Sequence, residues 1–266
     1  MHPMMNIAVK AVRKAGLALL RASENLSSIN IYEKSKKNYY TNIDISIESI
    51  ILRFIQKYYQ NHYFLSEESG YLGNEKSEYT WIIDPIDGTN NFIRGNPQHC
   101  ISIALQRGLS TEIAVIFNPY LDQLFTAIKG SGAQLNGRRI RVSGKNTLSR
   151  CLLSSSLSFC KKTFSSSYPE AFMNLQRLSS GFRYSGSLSL DMCYVGSGYL
   201  DVVWTVRQTK TWDIAGPILV IKEAGGIVCS LDGGVDLLHH GKLIGGNAFI
   251  VKKMLRFFSS YLKKID

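Results

Sequence analysis

Residues 81–89 read Trp-Ile-Ile-Asp-Pro-Ile-Asp-Gly-Thr, a stretch in which an apolar strand signal meets two acidic residues. The two adjacent isoleucines are apolar and β-branched, which is typical of a buried strand. Pro85 then fixes φ and removes a backbone donor, so no helix can begin at Asp84. The pattern predicts a buried strand that runs into a tight turn. The carboxylates of Asp84 and Asp87 therefore leave the strand end on one short, stiff loop.

The residues after the two aspartates add a candidate anion site. Gly88 and Thr89 could present free backbone N–H groups to an anion. Carboxylates and carbonyls are ligands of hard divalent cations, and Mg²⁺ usually shares its coordination shell with substrate phosphate. The segment is therefore typical of Mg²⁺-assisted phosphate chemistry. The alternative is ordinary turn chemistry, because most Asp-Pro and Asp-Gly turns bind nothing.

Two further acidic segments lie at the ends of predicted elements. Glu67-Glu68-Ser69 closes the apolar stretch 63–65, and Asp213 begins a helix-like run that continues over 214–224. Alone, a Glu-Glu pair is a solvated surface feature, and an aspartate before a helical pattern is an N-cap. The complete set, in this order and each at the end of an element, is improbable by chance.

With these motifs the chain resembles the inositol monophosphatase family, in particular its bacterial extragenic-suppressor branch. The resemblance covers nearly the whole chain and is most specific at 67–69, 84–89 and 212–216. It implies an α/β fold, the layered αβαβα sandwich of inositol monophosphatases and fructose-1,6-bisphosphatase-like sugar phosphatases. It also implies a homodimer and inhibition by Li⁺.

The resemblance further implies a set of metal ligands. One Mg²⁺ would bind Glu67, Asp84 and the backbone carbonyl of Ile86. A second would bind Asp84, Asp87 and Asp213, with Asp84 bridging, and a third, weaker ion would lie near Glu67. Two ions about 3.5–4 Å apart can clamp the attacking and leaving oxygens of an in-line displacement. Four converging carboxylates would repel one another strongly without such cations.

The catalytic roles follow from the same resemblance. A metal-activated water is the expected nucleophile, oriented and deprotonated by Glu67 and the hydroxyl of Thr89. Asp44 matches the acid that hydrogen-bonds this threonine. The backbone N–H groups of Gly88 and Thr89 would hold phosphate oxygens, and no covalent phosphoenzyme is required.

The substrate pocket is where the chain departs from the family pattern. Gly186, Ser187 and Leu188 match the loop that lines the sugar or cyclitol pocket. Inositol-binding members carry a glutamate seven residues before the Trp-Asp aspartate, but this chain has Val206 there, beside Arg207. Valine cannot accept a hydrogen bond from a ring hydroxyl, whereas arginine suits an additional phosphate or carboxylate.

The sequence divides into two halves of different pattern. In the first half, residues 1–147, the predicted elements are helices over 4–26 and 47–58, an aperiodic basic loop over 31–44, and strands at 100–107, 112–117 and 123–128. In the second half, residues 148–266, strands and helices alternate at 151–157, 168–180, 182–185, 187–198, 200–204, 213–224, 226–229, 243–246 and 248–264. We expect an α+β half with an antiparallel sheet and the metal loop, an α/β half, and one catalytic site between them.

Composition bounds the remaining possibilities. Hydrophobic residues make up 45% of the 266 positions, and no apolar run approaches the about 20 residues of a membrane helix. We therefore expect no membrane partner and a cytoplasmic protein. Five cysteines without C-x-x-C spacing predict reduced core residues rather than disulfides or a zinc site. The net charge of +11 is either a solvated surface or an attraction for phosphorylated substrates, RNA or an acidic partner.

Three functions remain open from the sequence. The first is a Mg²⁺-dependent phosphatase, with two to three ions per site, that hydrolyses inositol monophosphate or a related small phosphate monoester. The second is the same chemistry on a sugar bisphosphate or 3′-phosphoadenylate. The third is a regulatory protein that binds RNA, RNA polymerase or antitermination factors, as members of the extragenic-suppressor branch do.

Overall fold

The computed structural model describes residues 2–35, 38–156, 167–206, 208–231, 233–234, 237 and 242–262. Its described helices are α1 (Pro3–Ser23), α2 (Asn42–Gln56), α3 (Thr89–Ile93), α4 (Ser167–Leu178), α5 (Leu188–Gly196), α6 (Thr211–Glu223) and α7 (Ala248–Leu262). The strands of the first half are β1 (Ile31–Ser35), β2 (Asn38–Thr41), β3 (Tyr63–Ser66), β4 (Gly70–Gly73), β5 (Tyr79–Asp87), β6 (Cys100–Arg107), β7 (Ser110–Asn118), β8 (Gln123–Ile128), β9 (Gly132–Leu135) and β10 (Arg138–Arg139). Those of the second half are β11 (Leu152–Ser156), β12 (Gly181–Arg183), β13 (Val202–Thr205), β14 (Ile227–Ser230) and β15 (Leu243–Gly246).

The strands form two large sheets and one hairpin within this part of the chain. The larger sheet has the order β10-β9-β8-β7-β6-β5-β3-β4, and the smaller has the order β12-β11-β13-β15-β14. The larger sheet is antiparallel except where β3 lies parallel to β5. The hairpin pairs β1 with β2.

Helices cover both sheets and separate them. α1 and α2 pack on one face of the larger sheet, and α5 and α6 lie between the two sheets. α4 and α7 cover the outer face of the smaller sheet. The layers therefore follow the order α, β, α, β, α, which confirms the predicted sandwich.

The amphipathic pattern of α2 shows why the first interface forms. Its residues Ile47, Ile51 and Ile55 are buried against Trp81 and Ile83 of β5. Each fully buried side chain of this size contributes about 1.5–3 kcal/mol relative to an exposed one. This packing fixes α2 over the strand that ends in the acidic loop.

The parallel pair β3 and β5 sets the position of the first two acids. Ser66 lies opposite Ile83 in the register, and Glu67 and Asp84 are the next residue on each strand. Neighbouring parallel strands point their carboxyl ends to the same edge of a sheet. The two carboxylates consequently emerge side by side.

Residues 31–44 do not form the predicted aperiodic loop. In the described part of this segment, β1 and β2 make an antiparallel hairpin in which Ile31 pairs with Thr41 and Tyr32 with Tyr40. The two tyrosine rings stack with their centroids 5.1 Å apart. Residues 31–34 of β1 are all exposed, so they lack the alternation of buried and exposed positions that identifies a half-buried strand. Cross-strand pairs stabilise the hairpin instead.

The predicted turn at Asp84 also needs correction, because β5 continues through Pro85 to Asp87. The register with β6 shifts between these positions: Asp84 pairs with Ser102, and Asp87 pairs with Cys100. Two residues of β5 therefore oppose one residue of β6, as in a β-bulge. A bulge accommodates a proline because the ladder needs no donor at that point.

Among the described residues, no helix combines the length and apolarity needed to cross a bilayer. Cys100, Cys151 and Cys193 are buried thiols, and Cys229 is a half-buried thiol. Cys160 lies outside the described residues. Three of the four described cysteines therefore lie in the core, as the sequence predicted, and their redox state stays a prediction.

Candidate active site

Asp84 is at the centre of the acidic cluster. Its side chain is buried at 1% exposure, and its Oδ1 accepts a hydrogen bond from Ile86 N at 3.0 Å. The carboxyl groups of Asp84 and Glu67 lie close enough to shift each other's pKa. Burial raises the pKa of Asp84 well above its ordinary value, and the negative charges of Glu67, Asp87 and Asp213 raise it further. The four acids therefore act on one another electrostatically.

Asp87 joins the two halves of the molecule. Its Oδ2 accepts hydrogen bonds from Ser187 Oγ at 2.6 Å and from Ser189 N at 2.7 Å. Ser187 is the N-cap of α5, so the carboxylate lies at the positive end of that helix. The hydroxyl of Ser189 donates to the backbone oxygen of Asp213 at 2.9 Å. Ser189 thus connects two of the predicted ligand residues, and the sequence analysis missed it.

Asp213 lies in the first turn of α6. Its Oδ2 accepts a hydrogen bond from Lys210 N at 3.0 Å, the contact of a capping box. Trp212 beside it is half-buried against Leu65, Ile82 and the adjacent strands. The start of α6 is therefore fixed against the same strands that carry Glu67 and Asp84.

The Thr89 hydroxyl lies between an acid and a carbonyl. Its Oγ1 is 3.1 Å from Asp44 Oδ1 and 3.0 Å from Ile86 O, so its single proton is donated to one of them at a time. Asp44 also accepts from Thr41 N at 2.8 Å and from Thr41 Oγ1 at 2.6 Å. Burial raises the pKa of Asp44 to about 6 against these stabilising hydrogen bonds.

Lys34 of β1 is a cation in the site that the predicted loop did not anticipate. Its Nζ lies 3.1 Å from Glu67 Oε1 and 2.5 Å from Glu68 Oε1. Burial disfavours the charged form of Lys34, but the two carboxylates outweigh burial and raise its pKa above the ordinary value. Burial raises the pKa of Glu67, and the ammonium of Lys34 partly offsets that effect.

The donor set has the chemistry of a hard-cation site. It consists of carboxylate oxygens and one carbonyl, which suit Mg²⁺ better than softer metals. In the described parts of the chain, no three Asp, Glu, His or Cys side chains are arranged as they stand to enclose an ion. Protein donors bind several of these oxygens instead, namely Lys34, Ser187 and Lys210 N. The residues therefore fit Mg²⁺ by chemistry, and binding would exchange protein donors for the ion.

Of the predicted substrate residues, the loop 186–188 meets the acidic cluster through the hydrogen bond from Ser187 to Asp87. Gly186 has φ of +90° and a Cβ there would be 2.8 Å from Asn91 Nδ2, so this position requires glycine. Asn91 donates to Ser185 O at 2.8 Å and to Gln98 O at 2.5 Å, which links the loop to α3. Ser187 and Leu188 begin α5 and are buried.

Val206 follows β13 and packs, half-buried, against the apolar cluster between the smaller sheet and α4 and α7. Arg207 lies outside the described residues. Gly88 has φ of +99° at the N-cap of α3, and a Cβ there would be 3.0 Å from Gln98 O. Gly88 therefore allows the acidic strand to turn into α3 at the place where the sequence predicted an anion site.

Asp191 is a buried acid that the sequence analysis did not single out. It accepts a hydrogen bond from Ser154 Oγ at 2.6 Å, and the nearby Ser185 also favours its charged form. Burial raises its pKa to about 6. The sequence indicated this residue through an acid in the mainly apolar segment that forms α5. The neighbouring positions of Asp191 are buried.

The chain is similar to known proteins over nearly its whole length, which includes the residues of the acidic cluster. The sequence matches the inositol monophosphatase family over residues 1–261. A Pasteurella multocida protein described as Nus factor SuhB is 40% identical over 256 residues, 96% of this chain and 95% of that protein. The crystal structure of extragenic suppressor protein suhB from Bartonella henselae gives a TM-score of 0.92 at 35% identity, covering 96% of this chain and 98% of the other.

A second solved structure, the inositol monophosphatase of Anabaena, gives a TM-score of 0.85 at 31% identity and covers 97% of this chain and 96% of the other. These similarities include both sheets, the three helical layers and the segments that carry the acidic cluster. The chain belongs to the inositol monophosphatase family.

Proposed function

We propose that the chain is a Mg²⁺-dependent phosphatase that hydrolyses inositol monophosphate or a related small phosphate monoester. One observation carries the proposal: Glu67, Asp87 and Asp213 converge electrostatically on the buried carboxyl of Asp84, beside the hydrogen-bonded pair of Thr89 and Asp44. Membership of the inositol monophosphatase family supports a phosphatase. Convergent acids that would hold cations suit hydrolysis by a cation-activated water.

The proposed ligands of the ions are Glu67, Asp84, Asp87, Asp213 and the carbonyl of Ile86. When bound, two to three Mg²⁺ ions would lower the pKa of a coordinated water and neutralise the charge of the phosphate dianion. Asp87 can serve as a ligand while remaining an anchor for α5, since a carboxylate has about four lone-pair sites.

Thr89 and Asp44 have the arrangement of a proton relay. The Thr89 proton is directed to Asp44 or to the Ile86 carbonyl, so the lone pairs of Oγ1 remain to accept a hydrogen bond from the attacking water. As the water loses its proton to Oγ1, the hydroxyl passes its own proton to Asp44 Oδ1. A pKa of about 6 makes Asp44 a suitable acceptor near neutral pH. Glu67 would orient the same water.

The phosphate would lie against the N–H groups of Gly88 and Thr89, and the leaving group against Gly186, Ser187 and Leu188. Val206 would offer no hydrogen-bond acceptor at the position where inositol-binding members have one, and its described contacts are with the apolar cluster of the smaller sheet. A small ester other than inositol phosphate, such as a sugar bisphosphate or 3′-phosphoadenylate, therefore stays a second candidate substrate. A homodimer and a cytoplasmic location also remain proposals.

The test is phosphate release from a panel of monoesters, measured with Mg²⁺ and with EDTA. The panel contains inositol 1-phosphate, fructose 1,6-bisphosphate, 3′-phosphoadenylate and a simple aryl phosphate. We expect Mg²⁺-dependent release from at least one of them, abolished by EDTA and inhibited by Li⁺. An Asp122→Asn variant, altered at an exposed acid far from the cluster, is the matched control. No release from any ester at saturating Mg²⁺ would refute the proposal.

A regulatory function is the second candidate, because a relative of 40% identity is described as a Nus factor. The net charge of +11 is compatible with binding to RNA or to an acidic surface of the transcription machinery. Electrophoretic mobility shift with ribosomal leader RNA, and co-purification with antitermination factors, would test it. Binding that persists in Asp87→Asn while phosphate release is lost would separate the two functions.

A further inference from the structure

Glu48 is a buried carboxylate of α2 that the proposed chemistry does not use. It is 2% exposed and lies on the face of the helix that packs on the larger sheet. Its Oε2 accepts hydrogen bonds from Ser66 Oγ at 2.5 Å and from Glu68 N at 2.9 Å, and its Oε1 accepts from the hydroxyl of Ser69. A buried carboxylate is costly unless its oxygens are satisfied in this way.

The three donors share one property: they surround Glu67 in the sequence. Ser66 precedes it, and Glu68 and Ser69 follow it, so one carboxylate holds the backbone on both sides of the proposed metal ligand. The hydroxyl of Ser66 supplies one of these donors, which glycine or alanine at this position would lack. Ser66 therefore adds a third hydrogen bond to this turn.

The same helix also holds the other side of the site. Asp44 is one helical turn before Glu48 on the same buried face, and it binds Thr89. A turn of helix separates two residues by about 6 Å along the axis and keeps that spacing rigidly. α2 therefore contacts both the Glu67 turn and the Thr89 hydroxyl through side chains four residues apart.

We infer that Glu48 is a positioning residue, which fixes Glu67 for cation binding through its hydrogen bonds to Ser66, Glu68 and Ser69. The inference rests on the proposed function, since it concerns the ion that Glu67 would bind. Groups that orient a metal ligand typically change metal affinity about 10–100-fold when they are removed. Glu48 acts from behind the ligand and contacts neither substrate nor ion.

The test compares Glu48→Leu with Glu48→Gln by calorimetric titration of the folded proteins with Mg²⁺ or Mn²⁺. Both side chains fill a similar volume, but only glutamine retains an acceptor for Ser66 and Glu68 N. We expect the leucine variant to bind the ion about tenfold more weakly and the glutamine variant to remain within about threefold of wild type. A purely packing role would favour leucine and leave both affinities unchanged.

Asp201→Leu is the matched control. Asp201 is another 2% exposed carboxylate, which accepts from Leu152 N at 2.6 Å and binds Lys145, away from the acidic cluster. Its loss should lower Tm without changing Mg²⁺ affinity. If Glu48→Leu does not fold, Ser66→Gly and Ser69→Ala each remove one donor, and each should weaken binding about threefold.

A double-mutant cycle with Glu67→Gln locates the effect. If Glu48 acts through Glu67, the loss of affinity caused by Glu48→Leu should disappear when Glu67 is already neutral. Full additivity, or equal affinities of the leucine variant and wild type, would overturn the positioning role while leaving the proposed function intact. Wild-type protein that binds neither Mg²⁺ nor Mn²⁺ would overturn the proposed function itself.

Discussion

The two sides of the candidate site are built in different ways. The proposed metal side, which consists of Asp44, Glu67, Asp84, Asp87, Thr89 and Asp213, lies at the ends of two adjacent strands and in the first turns of three helices. The proposed leaving-group side, which consists of residues 185–188 and Val206, lies in connections between elements and at the start of α5. Packing of α2 on β5 fixes the metal side, whereas the side chains of Asn91 and Asp87 hold the leaving-group loop from across the site.

The two sides therefore differ in how strongly the fold constrains the identity and position of their residues. Moving an acid of the metal side would require a change of strand register or helix position, at the cost of the core. Changing a residue such as Val206 requires only a new side chain at a strand end. The architecture therefore fixes the residues proposed for the reaction. The residues proposed for substrate choice can change on the same fold.

The largest expected effect is on the pH dependence of stability. It is predicted for Asp191, the buried acid of α5 next to the leaving-group side. Its folded pKa of about 6 lies above the ordinary 3.8, so its contribution to stability is full below about pH 4 and is lost as pH rises through about 6. That difference corresponds to on the order of 3 kcal/mol of unfolding free energy. Asp191→Asn should flatten the fall in stability over this interval, measured by urea unfolding at several pH values.

Addition of Mg²⁺ is the control for this prediction. Mg²⁺ should alter the pH dependence that arises from the metal side but leave the difference between wild type and Asp191→Asn in place. Parallel stability profiles for the two proteins between pH 4 and 7 would contradict the role of burial at Asp191.

Asp87→Asn comes next and tests the metal side directly. We expect kcat to fall at least about 10²-fold, because a neutral amide cannot replace a charged oxygen ligand near the developing phosphate charge. The amide oxygen can still accept from Ser187 and Ser189 N, so Tm should change little. Asp213→Asn should behave alike. Near-normal turnover in steady-state phosphate release would remove Asp87 from the mechanism.

Thr89→Ala should have an intermediate effect. If the hydroxyl orients and deprotonates the water, kcat falls about 10–100-fold with little change in KM, since the interaction matters in the transition state. Full kinetic curves at saturating Mg²⁺ distinguish the outcomes. A large rise in KM at unchanged kcat would make Thr89 a phosphate-binding residue and would place it with the substrate contacts.

Val206→Glu is expected to have the smallest effect and tests the leaving-group side. A restored acceptor should raise kcat/KM for inositol 1-phosphate by up to about tenfold, the scale of one charge-assisted hydrogen bond. An aryl phosphate without ring hydroxyls is the matched substrate and should change little. Efficient native hydrolysis of inositol 1-phosphate, combined with no gain from the substitution, would contradict the pocket argument.

Packing against the sheet made parts of this architecture predictable from sequence. The helix across 47–58 and the strand before Asp84 have strong periodic or apolar patterns, because one or both of their faces are buried. The acidic segments then follow from their positions at the ends of these elements. The layered sandwich came from the family resemblance and agrees with the observed order of layers.

The hairpin of β1 and β2 was missed for the opposite reason. Residues 31–34 of β1 are exposed and Tyr39 and Tyr40 of β2 are half-buried, and pairing between Tyr32 and Tyr40 stabilises the hairpin without an apolar pattern. Because β1 was not predicted, the contact of Lys34 with the acidic cluster was not predicted either. Glu48 and Ser189 make contacts that arise only in the tertiary structure. For Glu48, a carboxylate on the apolar face of α2 is nevertheless visible in the sequence.

The hydrogen bonds from Ser187 and Ser189 to Asp87 have a consequence for how the protein fails when heated. They cross from the smaller half of the molecule to the strand that carries the acids, and Asn91 adds another crossing. Separation of the halves would dismantle the reaction centre at once, without an intermediate that keeps turnover. Thermal inactivation and loss of tertiary structure should consequently be one event, so that residual activity reports the folded fraction.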